Sequence, residues 1–247
     1  MNFELFKLDL ILSSQQIIID SIEITFRKSR RARHMIISIK PLDGAVVSIP
    51  ERFSFRDGER LAKEKIEWIR LHLHKVQAAE NDSSLMNSKT PFETREHRLE
   101  ISEWDNDNIS IRLSRGKINI KYPAGQDVNS LPIKKAIRKG IEKAYREEAK
   151  EYLPKRLNDL SDKFNLPYKE VYIKNIKSRW GSCSSKDNIN LSIHLMRLPD
   201  HLIDYVLLHE LAHTKVRNHS MQFWNFLDSL TLNAKKLDKD LKKYKNF

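Results

Sequence analysis

Cysteine is nearly absent from this chain of 247 residues: Cys183 is the only one, which excludes an internal disulfide. No apolar run approaches the roughly 18 residues that a membrane-spanning helix requires. The first residues, Met1-Asn2-Phe3-Glu4, lack the basic segment of a signal peptide. Glycine is also scarce, with six residues, which we read as compositional bias. These absences favour a reducing, cytoplasmic location and argue against a membrane partner.

The chain contains 45 lysines and arginines but only 33 aspartates and glutamates, so its net charge is +12. A basic chain suits an anionic partner, including nucleic acid. The basic residues are nevertheless spread over separate segments at 28–33, 134–139 and 235–245, without the aromatic-interleaved basic motif of a known nucleic-acid module. Nucleic-acid binding therefore stays an alternative to a lysine-rich, solvated surface.

The apolar pattern divides the chain into three segments. Residues 1–80 are predicted to be β-rich and to end in a helix, 81–129 to form a linker with small β-strands, and 130–247 to form a mainly helical domain. Asp43-Gly44 in the first segment and Arg115-Gly116 in the second predict tight turns between strands. The isoleucine-rich stretch ahead of these turns alternates in part, as a strand does.

Two long helices are predicted. The first covers 54–80, where Ser54 can cap the helix and Trp68 belongs to its apolar stripe. The second begins at Ser130 and continues to about residue 165. Pro154 should kink or divide this second helix, because proline lacks a backbone N–H and its ring collides with the preceding turn.

The stretch with the clearest chemical meaning is His209-Glu210-Leu211-Ala212-His213, an HExxH motif followed by His219. Residues four apart lie on one face of a helix, so His209 and His213 can bind one metal ion. Glu210 is rotated by about 100° and can take a proton from a water molecule beside the metal. His219 can join only if the helix stops soon after His213, and Asn218 is a plausible left-handed residue for that stop.

Three imidazole nitrogens would leave a fourth tetrahedral position open, which is typical of a catalytic zinc site and not of a structural one. The alternative is a chance match on a charged helix. An apolar run precedes the motif, and burying two histidines and a glutamate without a partner would cost several kcal/mol. The residues therefore favour a Zn²⁺ site formed by His209, His213 and His219, with Glu210 as the general base.

Two short strands are predicted just before the metal helix, at 171–176 and 188–195, and an edge strand there could pair with an extended substrate. Between them lies Arg179, which could hold a carboxylate, a phosphate or an oxyanion, or could instead bind carbonyl groups of its own turn. Cys183 is expected to be a small buried apolar residue. His194 and Tyr205 are candidate neighbours of the metal ligands.

These motifs resemble the YgjP-like family, whose members are predicted metal-dependent hydrolases. The third histidine after HExxH is also similar to that of the SprT-like and WLM zinc peptidases. The resemblance is specific over 168–230 and looser upstream. The segments that carry it are Arg179-Trp180-Gly181-Ser182-Cys183-Ser184-Ser185, Asn188-Ile189-Asn190-Leu191, the HExxH stretch, Asn218-His219-Ser220 and Phe223-Trp224.

The resemblance implies an α+β fold in which a zincin-like catalytic domain, with its HExxH helix beside a small sheet, follows a β-rich N-terminal region. It implies the same zinc ligands and general base, and it leaves the role of the segment from Arg179 to Cys183 open. A metallopeptidase acting on peptide or protein is the leading hypothesis. The alternatives are a nucleotide triphosphate pyrophosphatase, a DNA-associated protease of the SprT type, and a non-catalytic module with structural zinc. The oligomeric state is not predicted.

Overall fold

The computed structural model describes residues 14–40, 43–82 and 92–244. Contacts divide the chain into two units, Met1–Asn87 and Ser88–Phe247. The part of the predicted β-rich region that precedes Ser14 lies outside the described residues. None of the helices in the described ranges combines the length and the apolar composition that a membrane crossing requires.

The first unit contains a four-stranded sheet with the order β1-β2-β4-β3. Strands β2 and β4 are parallel, whereas the outer strands β1 and β3 are antiparallel to their neighbours. The turn predicted at Asp43-Gly44 precedes β4, and Gly44 has the positive φ of 69° that favours glycine. The strands are β1 (Ser14–Ile19), β2 (Ile22–Ser29), β3 (Ile36–Lys40) and β4 (Gly44–Pro50).

A second turn interrupts the isoleucine-rich stretch at Asp20 and Ser21, whose φ values are 47° and 64°. Two consecutive left-handed residues are typical of a tight hairpin turn, and they let β2 fold back on β1 with Ile19 opposite Ile22. The sequence did not predict this turn, because it contains no glycine or asparagine.

The predicted helix at 54–80 is two helices, α1 (Phe55–Glu64) and α2 (Ile66–Asp82), which meet at Lys65. Ser54 caps α1 through a reciprocal bond with Asp57, as its position predicted. Both helices contribute to the core over the sheet, which includes Phe26 and Ile69. Trp68 was assigned to the apolar stripe, but it is 42% exposed and stacks on His72.

The second unit begins with a three-stranded sheet of order β5-β7-β6 that packs against a long helix, α3. The tight turn predicted at Arg115-Gly116 joins β6 to β7. Helix α3 runs through Pro154 without division, so of the two expected outcomes, a kink or a division, the division is wrong. Leu153 and Leu157 beside the proline are fully buried, and we attribute the helix's continuity to this packing, which offsets the roughly 3 kcal/mol cost of an interior proline. The elements are β5 (Arg98–Trp104), β6 (Ser110–Ser114), β7 (Lys117–Pro123) and α3 (Leu131–Phe164).

A smaller sheet of order β8-β10-β9 follows, in which β8 is parallel and β9 antiparallel to β10. The strand predicted at 188–195 ends at Ser192, because the Ser192 side chain caps a 3-10 helix at Ile193–Arg197. Three helices complete the unit, and the first of them contacts α3, β9 and both later helices. The elements are β8 (Glu170–Lys174), β9 (Gly181–Cys183), β10 (Asn188–Ser192), α4 (Asp200–Ala212), α5 (Met221–Thr231) and α6 (Ala234–Leu241).

Candidate metal centre

Helix α4 carries the HExxH motif, and residues on nearly all of its faces are buried. A helix that is apolar all round belongs in a core, where neighbouring elements fix its rotation. Its last turn therefore presents His209 and Glu210 in fixed directions. The buried residues of α4 are Leu202, Ile203, Tyr205, Val206, Leu207, Leu208, Glu210, Leu211 and Ala212.

Helix α4 ends at Ala212 with His213 as its C-cap, as the position of the third histidine requires. A tightened last turn follows, in which the N–H groups of Lys215 and Val216 both donate to the Ala212 carbonyl at 3.0 Å. The prediction of a left-handed Asn218 is wrong, because its φ is not positive. The Asn218 Oδ1 instead accepts a hydrogen bond from the Ser220 N–H at 3.3 Å.

The reversal brings the three predicted ligands together. The Nε2 atoms of His209 and His219 are 3.0 Å apart. One ring nitrogen from each of His209, His213 and His219 lies within 4.8 Å of the other two. Tetrahedral coordination with Zn–N distances of about 2.0–2.1 Å places ligand nitrogens about 3.3 Å apart. The donor type and the spacing therefore fit a zinc ion.

Phe223 of α5 packs against all three imidazoles. Its ring stacks on His213 with centroids 4.5 Å apart and meets His209 and His219 edge-on at 4.9 Å each. Phe223 is fully buried. An aromatic ring behind the metal helix thus restricts the orientation of every candidate ligand.

Hydrogen bonding and burial leave the imidazoles ready to bind a cation. The His213 Nδ1 lies 3.0 Å from the Val216 carbonyl, which can only accept, so Nδ1 carries the proton and Nε2 keeps its lone pair. Burial, with smaller contributions from the charges of His213 and His219, lowers the pKa of His209 to about 3. Burial also lowers the pKa of His213. Neutral imidazoles are the form that binds metal.

Glu210 lies beside the histidines and is only 5% exposed. Its Oε2 has no hydrogen-bond partner among the described residues. Burial raises the pKa of Glu210 to about 8, against the opposing effects of the Arg179 charge and of a backbone hydrogen bond from Cys183. A buried carboxylate with one unsatisfied oxygen and a raised proton affinity is typical of a residue that transfers protons.

Arg179 is exposed and makes no hydrogen bond or ion pair with the described part of the chain. The loop that carries it is nevertheless anchored. Lys177 pairs with Glu142 at 2.7 Å, and the Ser192 Oγ donates to the Ile176 carbonyl at 2.6 Å. Trp180, the next residue, is buried. The guanidinium is thus presented on a fixed loop near Glu210, and its role stays a prediction.

Arg217 was missed in the sequence although it lies between two candidate ligands. Its guanidinium pairs with Asp187 at 2.7 Å and donates to the Ser184 carbonyl at 2.8 Å. It also lies 3.7 Å from the Cys183 Sγ. Cys183 is half-buried, not fully buried as predicted. Arg217 therefore fastens the loop that carries His219 to the turn between β9 and β10.

His194 and Tyr205 were both candidate neighbours of the ligands. The Tyr205 ring meets His209 edge-on at 6.0 Å. His194 belongs elsewhere: its Nε2 is 2.8 Å from the Asn175 Oδ1, and its ring is not part of the group of three histidines. Burial lowers the pKa of His194 to about 4, with Glu142 opposing the shift.

The family model for the YgjP-like, metallopeptidase domain matches residues 33–244. No curated protein matches the chain. The metallopeptidase zymogen jannalysin of Methanocaldococcus jannaschii is 22% identical over 36% of this chain and 93% of its own, with a TM-score of 0.33. The metallopeptidase zymogen abylysin of Pyrococcus abyssi is 26% identical over 36% of this chain and 92% of its own, with a TM-score of 0.33. Since the family model covers most of its length, the chain belongs to the YgjP-like family of metallopeptidase domains.

Proposed function

We propose that this protein is a zinc-dependent peptidase in which His209, His213 and His219 hold the ion and Glu210 is the general base. The proposal rests chiefly on one observation. Three imidazole donors within 4.8 Å of one another stand beside a buried carboxylate with an unpartnered oxygen. Membership of a metallopeptidase family supports the same reaction class.

Zinc suits this donor set better than magnesium does. Magnesium prefers carboxylate and water oxygens in an octahedral arrangement, whereas three imidazoles with one open position are typical of catalytic zinc. When bound, zinc acts as a Lewis acid that lowers the pKa of its water ligand to about 7 and polarises a carbonyl. The same preference counts against the nucleotide pyrophosphatase alternative.

Glu210 moves the proton. Its Oε2 accepts a proton as the water oxygen attacks the carbonyl carbon of the scissile peptide. Protonated Glu210 then donates this proton to the amide nitrogen as the C–N bond of the peptide breaks. The products of the cleavage are a carboxylic acid and an amine. The burial of Glu210 suits both steps, because it raises the affinity of the carboxylate for the proton that it must hold between them.

Arg179 has the properties of an anion-binding group in this reaction. It is exposed, and none of the described carboxylates pairs with it. We assign it to the oxyanion that forms at the substrate carbonyl or to a carboxylate of the peptide. Arg179→Lys would keep the charge but lose the two-point geometry of the guanidinium.

Strand β9 can align the peptide. It is the edge of its sheet, and no described strand other than β10 pairs with it. The Trp180 carbonyl and the Ser184 N–H bond towards β10. Because backbone groups alternate in direction along a strand, those of Gly181 and Cys183 point away from β10. The N–H and carbonyl of Gly181 and the carbonyl of Cys183 can pair with a substrate added as a further antiparallel strand, whereas the Cys183 N–H donates to the Glu210 carboxylate.

The test is a substrate panel run on zinc-loaded protein. Fluorescent casein, a peptide library and a set of nucleoside triphosphates are each incubated with the protein alone, with phenanthroline, and with phenanthroline followed by excess zinc. We expect zinc-restored cleavage of peptide bonds. Glu210→Gln should lower the rate of cleavage by about 10²- to 10⁴-fold while zinc content stays at wild-type level, with the exposed Glu147→Gln as the matched control. Cleavage by Glu210→Gln at the wild-type rate, or zinc-dependent hydrolysis of triphosphates alone, would refute the proposal.

A further inference from the structure

The segment from Arg179 to Cys183 has a steric relation to the general base. A Cβ atom built on Gly181 would lie 2.7 Å from the Oε1, 2.8 Å from the Cγ and 2.9 Å from the Cδ of Glu210. All three distances are shorter than real Cβ atoms show to any neighbour. The side chain of Glu210 therefore occupies the space that a side chain at position 181 would need.

Backbone conformation does not explain this glycine. Gly44, Gly116 and Gly125 are the described glycines with positive φ, whereas Gly181 lies in strand β9 with backbone angles open to other residues. What distinguishes position 181 is the missing Cβ and not conformational freedom. The requirement comes from the neighbour across the gap, Glu210.

We propose that Gly181 is a positioning residue for the proposed general base, because the Glu210 carboxylate packs directly against its Cα, which carries no side chain. This inference rests on the function proposed above. Cys183, two residues along β9, presents its backbone in the same direction and donates its N–H to the Glu210 carboxylate. The Gly181 Cα and the Cys183 N–H, both from β9, thus hold the Glu210 side chain, while its Oε2 has no hydrogen-bond partner among the described residues.

The contact with Arg217 extends this arrangement to the metal ligands. Arg217 donates to the carbonyl of Ser184, the residue that follows β9, and its loop ends at His219. The strand that supports the general base and the loop that carries the third histidine are thus tied at one point. The distance between Glu210 and the histidine cluster depends on β9 keeping its place.

An alanine at position 181 should change catalysis more than folding. The atoms that it would meet belong to the flexible end of a side chain and not to backbone. The cheapest accommodation is therefore a displacement of the Glu210 carboxylate. A misplacement of about 1 Å in a catalytic group costs about a hundredfold in rate.

Gly181→Ala tests the inference, with Ser182→Ala as the matched control. Ser182 is the next residue of β9, so its side chain points to the opposite face of the strand, where its Oγ accepts from the Asn190 Nδ2 at 3.4 Å. On the best peptide from the panel, we expect kcat of Gly181→Ala to fall about 10- to 100-fold. KM should change less than about twofold, and zinc affinity and melting temperature should match those of Ser182→Ala.

A double variant separates positioning from a general loss of structure. In the Glu210→Gln background the base is already absent, so Gly181→Ala should cause no further loss of kcat. An unchanged kcat for Gly181→Ala, an additive loss in the Gln background, or a loss of zinc affinity or fold would each overturn the inference. If Glu210→Gln itself keeps full activity, the proposed function fails. If Glu210→Gln is inactive while Gly181→Ala is fully active, only the positioning role fails.

Discussion

Replacing Phe223 with leucine should loosen the metal centre without touching a ligand. Phe223 is fully buried and contacts the rings of His209, His213 and His219 at centroid distances of 4.5–4.9 Å. Leucine keeps most of the apolar volume but cannot stack on His213 or meet the other two rings edge-on. The change therefore removes the aromatic contacts and leaves the helix and its burial in place.

The magnitude follows from the number of contacts. Each aromatic pair contributes about 0.5–1.5 kcal/mol beyond the area that it buries, so three pairs amount to about 1.5–4.5 kcal/mol of stability. Part of that loss falls on the preorganisation of the imidazoles. If a contact worth about 1.4 kcal/mol no longer orders the empty site, zinc must supply that free energy on binding, and its Kd rises about tenfold.

The assay is a zinc competition titration against a chromophoric chelator, accompanied by urea unfolding. Phe226→Leu is the control, because Phe226 lies in the same helix and is partly buried. We expect both variants to lose stability but only Phe223→Leu to bind zinc about tenfold more weakly. Equal zinc affinities for the two variants would show that the ring does not order the ligands, and the reasoning from ring contacts would fail.

Three further predictions concern the surroundings of the site. Asp187→Asn should weaken zinc binding several-fold in the same titration, because it releases the Arg217 anchor of the His219 loop, and Arg217→Lys should do the same. Glu148→Gln should lower the urea-unfolding free energy by about 2–4 kcal/mol, because this buried carboxylate accepts from Thr94, Glu96 and His97, whereas exposed Glu147→Gln should change it by less than about 0.5 kcal/mol. The folded pKa of His194, about 4, lies below its usual 6.5, so the unfolded chain binds the proton first and stability should fall as pH drops from 6.5 towards 4. Metal-free His194→Gln should lack about 2 kcal/mol of that fall, and identical pH profiles of unfolding for wild type and variant would contradict it.

Local signals predicted the elements whose causes are local. Ser54 caps α1 because its hydroxyl reaches the N–H of Asp57, three residues away. Gly44 and Gly116 adopt the left-handed backbone conformation at the turns that the pairs Asp43-Gly44 and Arg115-Gly116 predicted. The misses have non-local causes. The parallel pairing of β2 with β4 skips over β3, and no periodicity within either strand encodes a partner.

The candidate metal ligands were predicted from a local pattern, as the local elements were. HExxH is a local pattern whose meaning depends only on helical geometry, and a third histidine six residues on requires a reversal wherever the helix lies. The manner of the reversal was not predicted. The residue expected to make the turn, Asn218, is not left-handed, and the turn is instead closed by two N–H groups that donate to the Ala212 carbonyl.

The residues that hold the candidate centre in place have contact partners that are distant in the sequence. No local motif could therefore predict their role. Gly181 is 29 positions from Glu210, and Arg217 is 30 positions from Asp187. A glycine in a strand and an arginine in a loop carry no signal until the fold supplies their neighbours. The candidate metal ligands of this protein could therefore be predicted from spacing. The position of the base relative to the ligands depends instead on how strand β9 packs against α4. Substitutions that shift β9 should accordingly impair turnover before they impair metal binding.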